Sequence, residues 1–194
     1  MKPIKLLVLG LFSLMSFATI TAQNVEVKAP LSVEQKRECV KQFYDSQSHV
    51  MELTNSNDGA EINAYFKNIG LNLDKAKARD RRWCGAYVAN SLKHCGVKCP
   101  YRNWAPLAGV RNWHNLKKFH TEKRLANTGD VAEYKFPHVE GVYERHPNPA
   151  FPYFTASGGN TSAPRNAGSN KEGVWKKTRL WRDVNTVTSL AKLG

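Results

Sequence analysis

The stretch that decides the fold is residues 83–96, which read WCGAYVANSLKHCG. Small and apolar side chains recur in it at the three- and four-residue spacings of one helical face. Gly96 can end such a helix, because glycine readily adopts the left-handed conformation common just after a helix C-terminus. The pattern predicts a helix over residues 83–95 with Cys84 in its first turn.

Two more helices are predicted before this stretch. Ser32 with Gln35 three residues later resembles a capping box and precedes apolar residues on one helical face, which predicts a helix over residues 32–44. A second apolar face runs over residues 60–68, and Gly70 follows as the stop. The N-terminal half is therefore expected to be helical.

After residue 129 the pattern changes to short β-type runs separated by Pro and Gly turns. They are residues 131–136, 139–144, 153–156 and 174–181. A Gly-, Ser- and Asn-rich stretch over residues 157–173 predicts a long loop, and a terminal helix is expected after Arg182. Helices followed by strands without βαβ alternation predict an α+β fold, with N-terminal helices packed on one side of a C-terminal antiparallel sheet.

The first 22 residues have the composition of a cleaved signal peptide. Lys2 and Lys5 precede an apolar run over residues 6–15, and small residues lead to Ala22. The apolar run is too short for a comfortable membrane span, which needs roughly 20 residues, so a retained anchor is the less favoured alternative. We expect an exported protein, periplasmic or extracellular, with residues 23–194 forming one monomeric domain and no stable membrane insertion.

Charge restricts the class of partner without choosing it. The formal net charge of the 194 residues is +13, and removing residues 1–22 takes away two lysines and leaves +11. Such an excess favours anionic partners, among them nucleic acid, acidic glycan and the bacterial cell wall. The bases are scattered, and no RNP-like motif or zinc-finger spacing accompanies them, so no nucleic-acid partner is expected.

Four cysteines in an exported chain allow three pairings. If Cys84 stays a thiol, Cys95 and Cys99 are the nearest pair, and Cys39 is left as a small buried side chain. A metal site built on His94, Cys95 and Cys99 lacks the usual paired ligand spacings. Neither a metal nor an organic cofactor is therefore expected.

Three segments carry the residue types of nucleophilic catalysis. A cysteine in the first turn of a helix meets unpaired N–H groups and the positive end of the helix dipole, which favour the thiolate; Arg79, Arg81 and Arg82 lie just upstream. His138 begins an apolar strand, and the amide of Asn160 follows the next strand, where it could orient an imidazole. The alternative for Cys84 is a buried apolar residue of a core helix.

Together with the stretches at residues 129–131, 138–142, 159–162 and 173–179, the segment around Cys84 resembles the ordered signature of CHAP and NlpC-type cysteine amidohydrolases and peptidases. The resemblance covers about residues 55–181. It implies a papain-like fold in which Cys84 is the nucleophile, His138 the general base and acid, and Asn160 the orienting residue. Glu140 is the alternative third residue, because it shares a strand face with His138.

The resemblance also implies a secreted cell-wall hydrolase. Its substrate would be peptidoglycan, cut at the N-acetylmuramoyl-L-alanine amide or within the peptide through a thioester intermediate. Two alternatives stay open: a catalytically inactive, basic secreted module that binds anionic cell-wall polymer, and an enzyme that transfers acyl or amide groups between proteins.

Overall fold

The computed structural model describes residues 29–73 and 81–194. The expected signal peptide and Arg79 lie outside these residues. Within them the helices are α1 (Val33–Ser46), α2 (Ala60–Asn68), α3 (Cys84–His94), α4 (Val110–His114) and α5 (Leu190–Leu193). The strands are β1 (His120–Thr121), β2 (Val131–Tyr134), β3 (Val139–Arg145), β4 (Tyr153–Ser162), β5 (Glu172–Leu180) and β6 (Val184–Thr188). The α+β class predicted from the sequence is confirmed.

The first two helices begin and end where their local signals place them. Ser32 Oγ accepts the Gln35 backbone N–H at 3.2 Å and Gln35 Oε1 accepts that of Ser32 at 2.8 Å, so the capping box before α1 is present. α2 ends just before Gly70, whose φ of 90° lies in the left-handed region. Capping chemistry is local, which explains why the sequence predicts these bounds.

The central helix is α3, whose residues are buried from Cys84 to Leu92. It packs against α1 and α2 on one side and against β3 and β4 on the other. Its end is a Schellman motif: Gly96 has φ 66°, the Val97 N–H donates to Leu92 O at 3.0 Å, and that of Gly96 donates to Lys93 O at 3.1 Å. The glycine predicted to end this helix therefore does so.

The six strands form one antiparallel sheet in the order β1-β6-β2-β3-β4-β5. Two predictions are corrected here. The expected loop begins later, because residues up to Ser162 continue β4, with a register irregularity between Gly158 and Thr161. After Arg182 the chain forms β6 in the interior of the sheet, and only the short α5 follows it.

The disulfide bond joins Cys39 to Cys95, so the expected pairing of Cys95 with Cys99 is wrong. α1 packs on α3 and brings the two Cα atoms to 5.7 Å. Cys99 is a half-buried free thiol, and Cys84 is the other free cysteine in the described part of the chain. Sequence proximity favoured the shorter loop, whereas helix packing determines the actual pair.

Breaking this bond is expected to lower the melting temperature by about 10 °C. The bond closes a loop of 56 residues, and the chain-entropy relation gives about 4 kcal/mol of stabilisation for that length. Thermal unfolding with and without reductant measures the shift. A Cys39→Ala/Cys95→Ala variant should already melt low and not respond to reductant. Peptide mapping of oxidised protein that finds both cysteines as free thiols would refute the pairing.

In the described residues, no helix is both long and apolar enough to cross a bilayer.

Candidate active site

Cys84 is the first residue of α3 and is almost fully buried, with 1% of its surface exposed. The backbone N–H groups of the first helical residues have no acceptor within the helix, and this first turn contains no acidic side chain. The basic residues Lys93 and His94 stand in the last turn, at the opposite end of the helix. No acidic side chain of the first turn therefore offsets the positive N-terminal end of the helix dipole. The free N–H groups beside Cys84 are therefore available to donate to an anion.

Gly85 has a packing role that the sequence did not reveal. A Cβ atom on this residue would lie 2.4 Å from the carbonyl oxygens of Leu107 and Ala108. The glycine thus lets the segment before α4 pack directly on the first turn of α3.

His138 lies immediately before β3 and is 8% exposed. The Cys84 thiol is close enough to raise the pKa of its ring, so the sulfur and the imidazole are neighbours. Its Nε2 atom lies 3.1 Å from Glu140 Oε1 and 3.1 Å from Thr161 Oγ1. With Nε2 engaged by these oxygens, Nδ1 is the nitrogen left for the sulfur. The structure therefore brings Cys84, His138 and Glu140 together.

Glu140 is a fully buried carboxylate with several donors around it. Arg179 approaches it in a bidentate manner, Nε at 2.8 Å from Oε2 and Nη2 at 2.5 Å from Oε1. The Tyr134 hydroxyl donates to Oε2 at 2.6 Å and the Thr161 hydroxyl to Oε1 at 3.0 Å. A buried charge requires such pairing, and here the donors also fix the oxygen that faces His138.

The ionisation of this group follows from burial and charge. Burial lowers the pKa of His138, but the hydrogen bonds and charges of Cys84 and Glu140 outweigh it and raise the pKa to about 9. Burial raises the pKa of Glu140, and His138 and Arg179 outweigh that effect and hold it well below its ordinary value. At neutral pH the imidazole is thus protonated and the carboxylate is charged.

Asn160 does not occupy the expected position beside His138. Its side-chain nitrogen donates to Glu52 Oε1 at 3.0 Å, Asn57 Oδ1 at 2.8 Å and Glu172 Oε2 at 3.0 Å. The backbone of Asn160 has φ 55° and lies in the irregular part of β4, so the alternation of side chains along a regular strand does not apply to it. Glu140, the alternative third residue, makes the contact that Asn160 was expected to make.

Glu52 connects this amide to the start of α3. Its carboxylate is fully buried and accepts the Trp83 indole N–H at 2.8 Å and the Asn57 backbone N–H at 2.9 Å. Trp83 is the residue immediately before Cys84, and Asn57 belongs to the turn before α2. Asn160 is thereby part of a network that fixes the residue preceding the cysteine.

Four residues of the site were missed from the sequence: Glu52, Tyr134, Thr161 and Arg179. Tyr134 stands in a predicted strand, and Arg179 stands in one of the stretches that carry the family resemblance, but neither had a local signal for contact with a carboxylate. Glu140 lies on β3 and its partners lie on β2, β4 and β5, which are neighbours only in the folded sheet. No local pattern contains that information.

A surface cavity of about 370 Å³ opens beside His138. Its wall includes the exposed ring of Phe136, which stacks on the imidazole with centroids 6.1 Å apart. Charged side chains of both signs line it, namely Arg82, Glu172, Lys177 and Arg179. The buried histidine is therefore next to a space large enough for part of a substrate.

Gly158 provides the room for Glu140. A Cβ atom here would lie 2.4 Å from Glu140 Oε1, so Gly158→Ala is expected to displace the carboxylate. Because Glu140 helps to raise the His138 pKa, that pKa should fall from about 9. NMR titration of the imidazole measures it. Ser157 precedes Gly158 on β4, and Ser157→Ala, which removes only a hydrogen bond to Tyr87 of α3, should leave the titration in place. An unchanged His138 titration in Gly158→Ala contradicts this account.

In residues 29–73 and 81–194 no group of three or more His, Cys, Asp or Glu side chains is arranged to hold a metal ion. Comparison of the chain with family models, curated proteins and solved structures finds no match.

Proposed function

We propose that this protein is a papain-like cysteine amidohydrolase that cleaves an amide bond in peptidoglycan. One observation carries the proposal: Cys84 begins a buried helix in contact with His138, whose other side is bound by the buried carboxylate of Glu140. A sulfur nucleophile, an acid–base imidazole and a group that orients the imidazole are the three parts that thiol-dependent amide hydrolysis requires.

In the proposed reaction the Cys84 thiolate attacks the amide carbonyl carbon. The oxyanion that forms is stabilised by the free backbone N–H groups at the start of α3, including that of Cys84. Protonated His138 donates its proton to the leaving amine, so the C–N bond breaks and a thioester remains. His138, now neutral, takes a proton from water, which hydrolyses the thioester and restores the thiolate–imidazolium pair.

Glu140 replaces Asn160 as the third residue of the proposed mechanism. Its carboxylate holds the Nε2–H side of the ring, which turns Nδ1 toward the sulfur. The carboxylate also favours the protonated ring, so the proton needed by the leaving amine is present at neutral pH. Arg179 and Tyr134 act through Glu140 and are positioning residues.

The choice of peptidoglycan depends on three features. The ordered sequence stretches resemble cell-wall hydrolases, the N-terminal residues predict export to the compartment where the wall lies, and the net charge of +11 on residues 23–194 attracts an anionic polymer. A non-catalytic wall-binding module shares the second and third features. It does not require a cysteine beside a protonated histidine that a buried carboxylate holds, which is why hydrolysis is the preferred function.

The test is digestion of purified peptidoglycan with residues 23–194, followed by mass spectrometry of the soluble fragments. Fragments with a new amine and a new carboxylate are expected, and their masses identify the bond. Co-sedimentation with the insoluble wall is measured in the same samples. Binding without any released fragment would overturn the enzymatic function in favour of the binding module.

A further inference from the structure

The charges in the cavity beside His138 are separated in space. Arg82 lies two residues before Cys84, and Lys177 and Arg179 lie two residues apart on β5, so their side chains share a face of that strand. Glu172 is at the other end of β5, where it accepts a hydrogen bond from Asn160. The cavity therefore has a cationic part and an acidic part.

Two of the three cations have donors available. Arg179 is bound in a bidentate manner to Glu140. Lys177 Nζ donates to Ser162 O at 2.9 Å, and an ammonium group has two further N–H donors. Arg82 is exposed and has no hydrogen bond or ion pair with the residues that the structure describes. A ligand in this part of the cavity would meet a guanidinium and an ammonium group that form no ion pair with residues 29–73 and 81–194.

The electrostatics favour an anion there. Burial lowers the pKa of Lys177 and the charge of Arg179 lowers it further, whereas the charge of Glu140 partly offsets them, so a negative ligand would further stabilise the ammonium group. At the acidic part, burial and the charge of Glu52 raise the pKa of Glu172, which means that a second negative group is disfavoured there. An anionic substrate group is thus directed to the cationic part.

We propose that Arg82 and Lys177 bind a free carboxylate of the substrate, carried by the amino acid next to the scissile amide. The inference rests on the proposed amidohydrolase function and gives it a substrate class: peptide amides with an unamidated carboxyl group close to the bond that is cut. A carboxylate suits these donors because both of its oxygens accept charge-assisted hydrogen bonds, whereas a carboxamide presents one acceptor and no charge.

The test compares two substrates that differ only in these carboxyl groups. Soluble peptidoglycan fragments are used as isolated and after conversion of their carboxyls to carboxamides with carbodiimide and ammonia. The wild-type protein is expected to cleave the carboxylate form with a kcat/KM about 10- to 100-fold higher, the range for a hydrogen-bonded charged group. Arg82→Gln and Lys177→Gln should each reduce that ratio, and Arg82→Lys should retain part of it.

Lys117→Gln is the matched control, since it removes one exposed positive charge outside the cavity and should keep the wild-type ratio. Equal cleavage of both substrates by the wild type would overturn the carboxylate site and leave the hydrolase intact. An unchanged ratio in both Gln variants would also overturn it. Cleavage of neither substrate would instead count against the proposed function itself.

Discussion

Replacing Cys84 with alanine is expected to reduce amide hydrolysis on the order of 10⁴-fold or more while the protein stays folded. The substitution removes the only atom that can form the thioester in the proposed mechanism, and the loss of a nucleophile in comparable enzymes has an effect of this size or larger. The fold should tolerate it, because alanine is a good helix former and the neighbouring helix residues keep their packing. Fragment release from peptidoglycan measures the rate.

Cys99 offers the matched control. It is the other free thiol in the described residues, is half-buried, and lies outside the contacts of His138. Cys99→Ala should therefore keep the wild-type rate. Circular dichroism and thermal unfolding of both variants separate loss of chemistry from loss of structure. Wall digestion by folded Cys84→Ala at the wild-type rate would remove the central proposal.

Glu140→Gln is expected to have the second-largest effect, lowering kcat/KM by about 10²-fold or more. The pKa of His138 is raised to about 9 in part by Glu140, and the protonated ring must supply the leaving amine with its proton. Activity of the wild type should thus be lost as pH rises through about 9. Without the carboxylate the His138 pKa falls, so the alkaline limb of the pH profile should move to lower pH.

Two measurements separate this effect from a structural one. Glu140→Gln leaves Arg179 without its charged partner, so a loss of stability of about 3 kcal/mol is expected and is followed by thermal unfolding. Asn160→Ala perturbs the network around Glu52 but not the partners of His138, and its alkaline limb should stay near that of the wild type. A limb that moves in Asn160→Ala and not in Glu140→Gln would reverse the assignment.

The helices were predictable because their signals are local. Apolar spacing, the capping box at Ser32 and the glycines after α2 and α3 each act within a few residues, and the structure places these elements within two residues of the predicted bounds. The second half of β4 was missed because its glycines have low strand propensity. Glycine is needed there because bulky side chains from distant parts of the sequence pack against the backbone: Glu140 against Gly158 and Trp83 against Gly159.

The site was predictable only in part, for the same reason. Cys84 and His138 stand out by position, one at a helix start and one at a strand start. The argument for the third residue favoured Asn160, which follows the next strand, over Glu140, which shares a strand face with His138. That argument left out the length of the Glu140 side chain, which spans the distance along one strand, and the irregular backbone at Asn160. The disulfide was likewise determined by helix packing that sequence proximity does not contain.

The position of β6 has a consequence for how the protein reaches this structure. It lies between β1 and β2, although it follows every other strand in the chain. Until β6 inserts, no strand connects β1 to β2, and each of them has an unpaired edge. Unpaired strand edges are the places where chains associate through strand pairing. Closing a sheet with strands distant in sequence is slow in folding. We therefore expect a refolding intermediate that is long-lived and prone to self-association until residues 184–188 are in place.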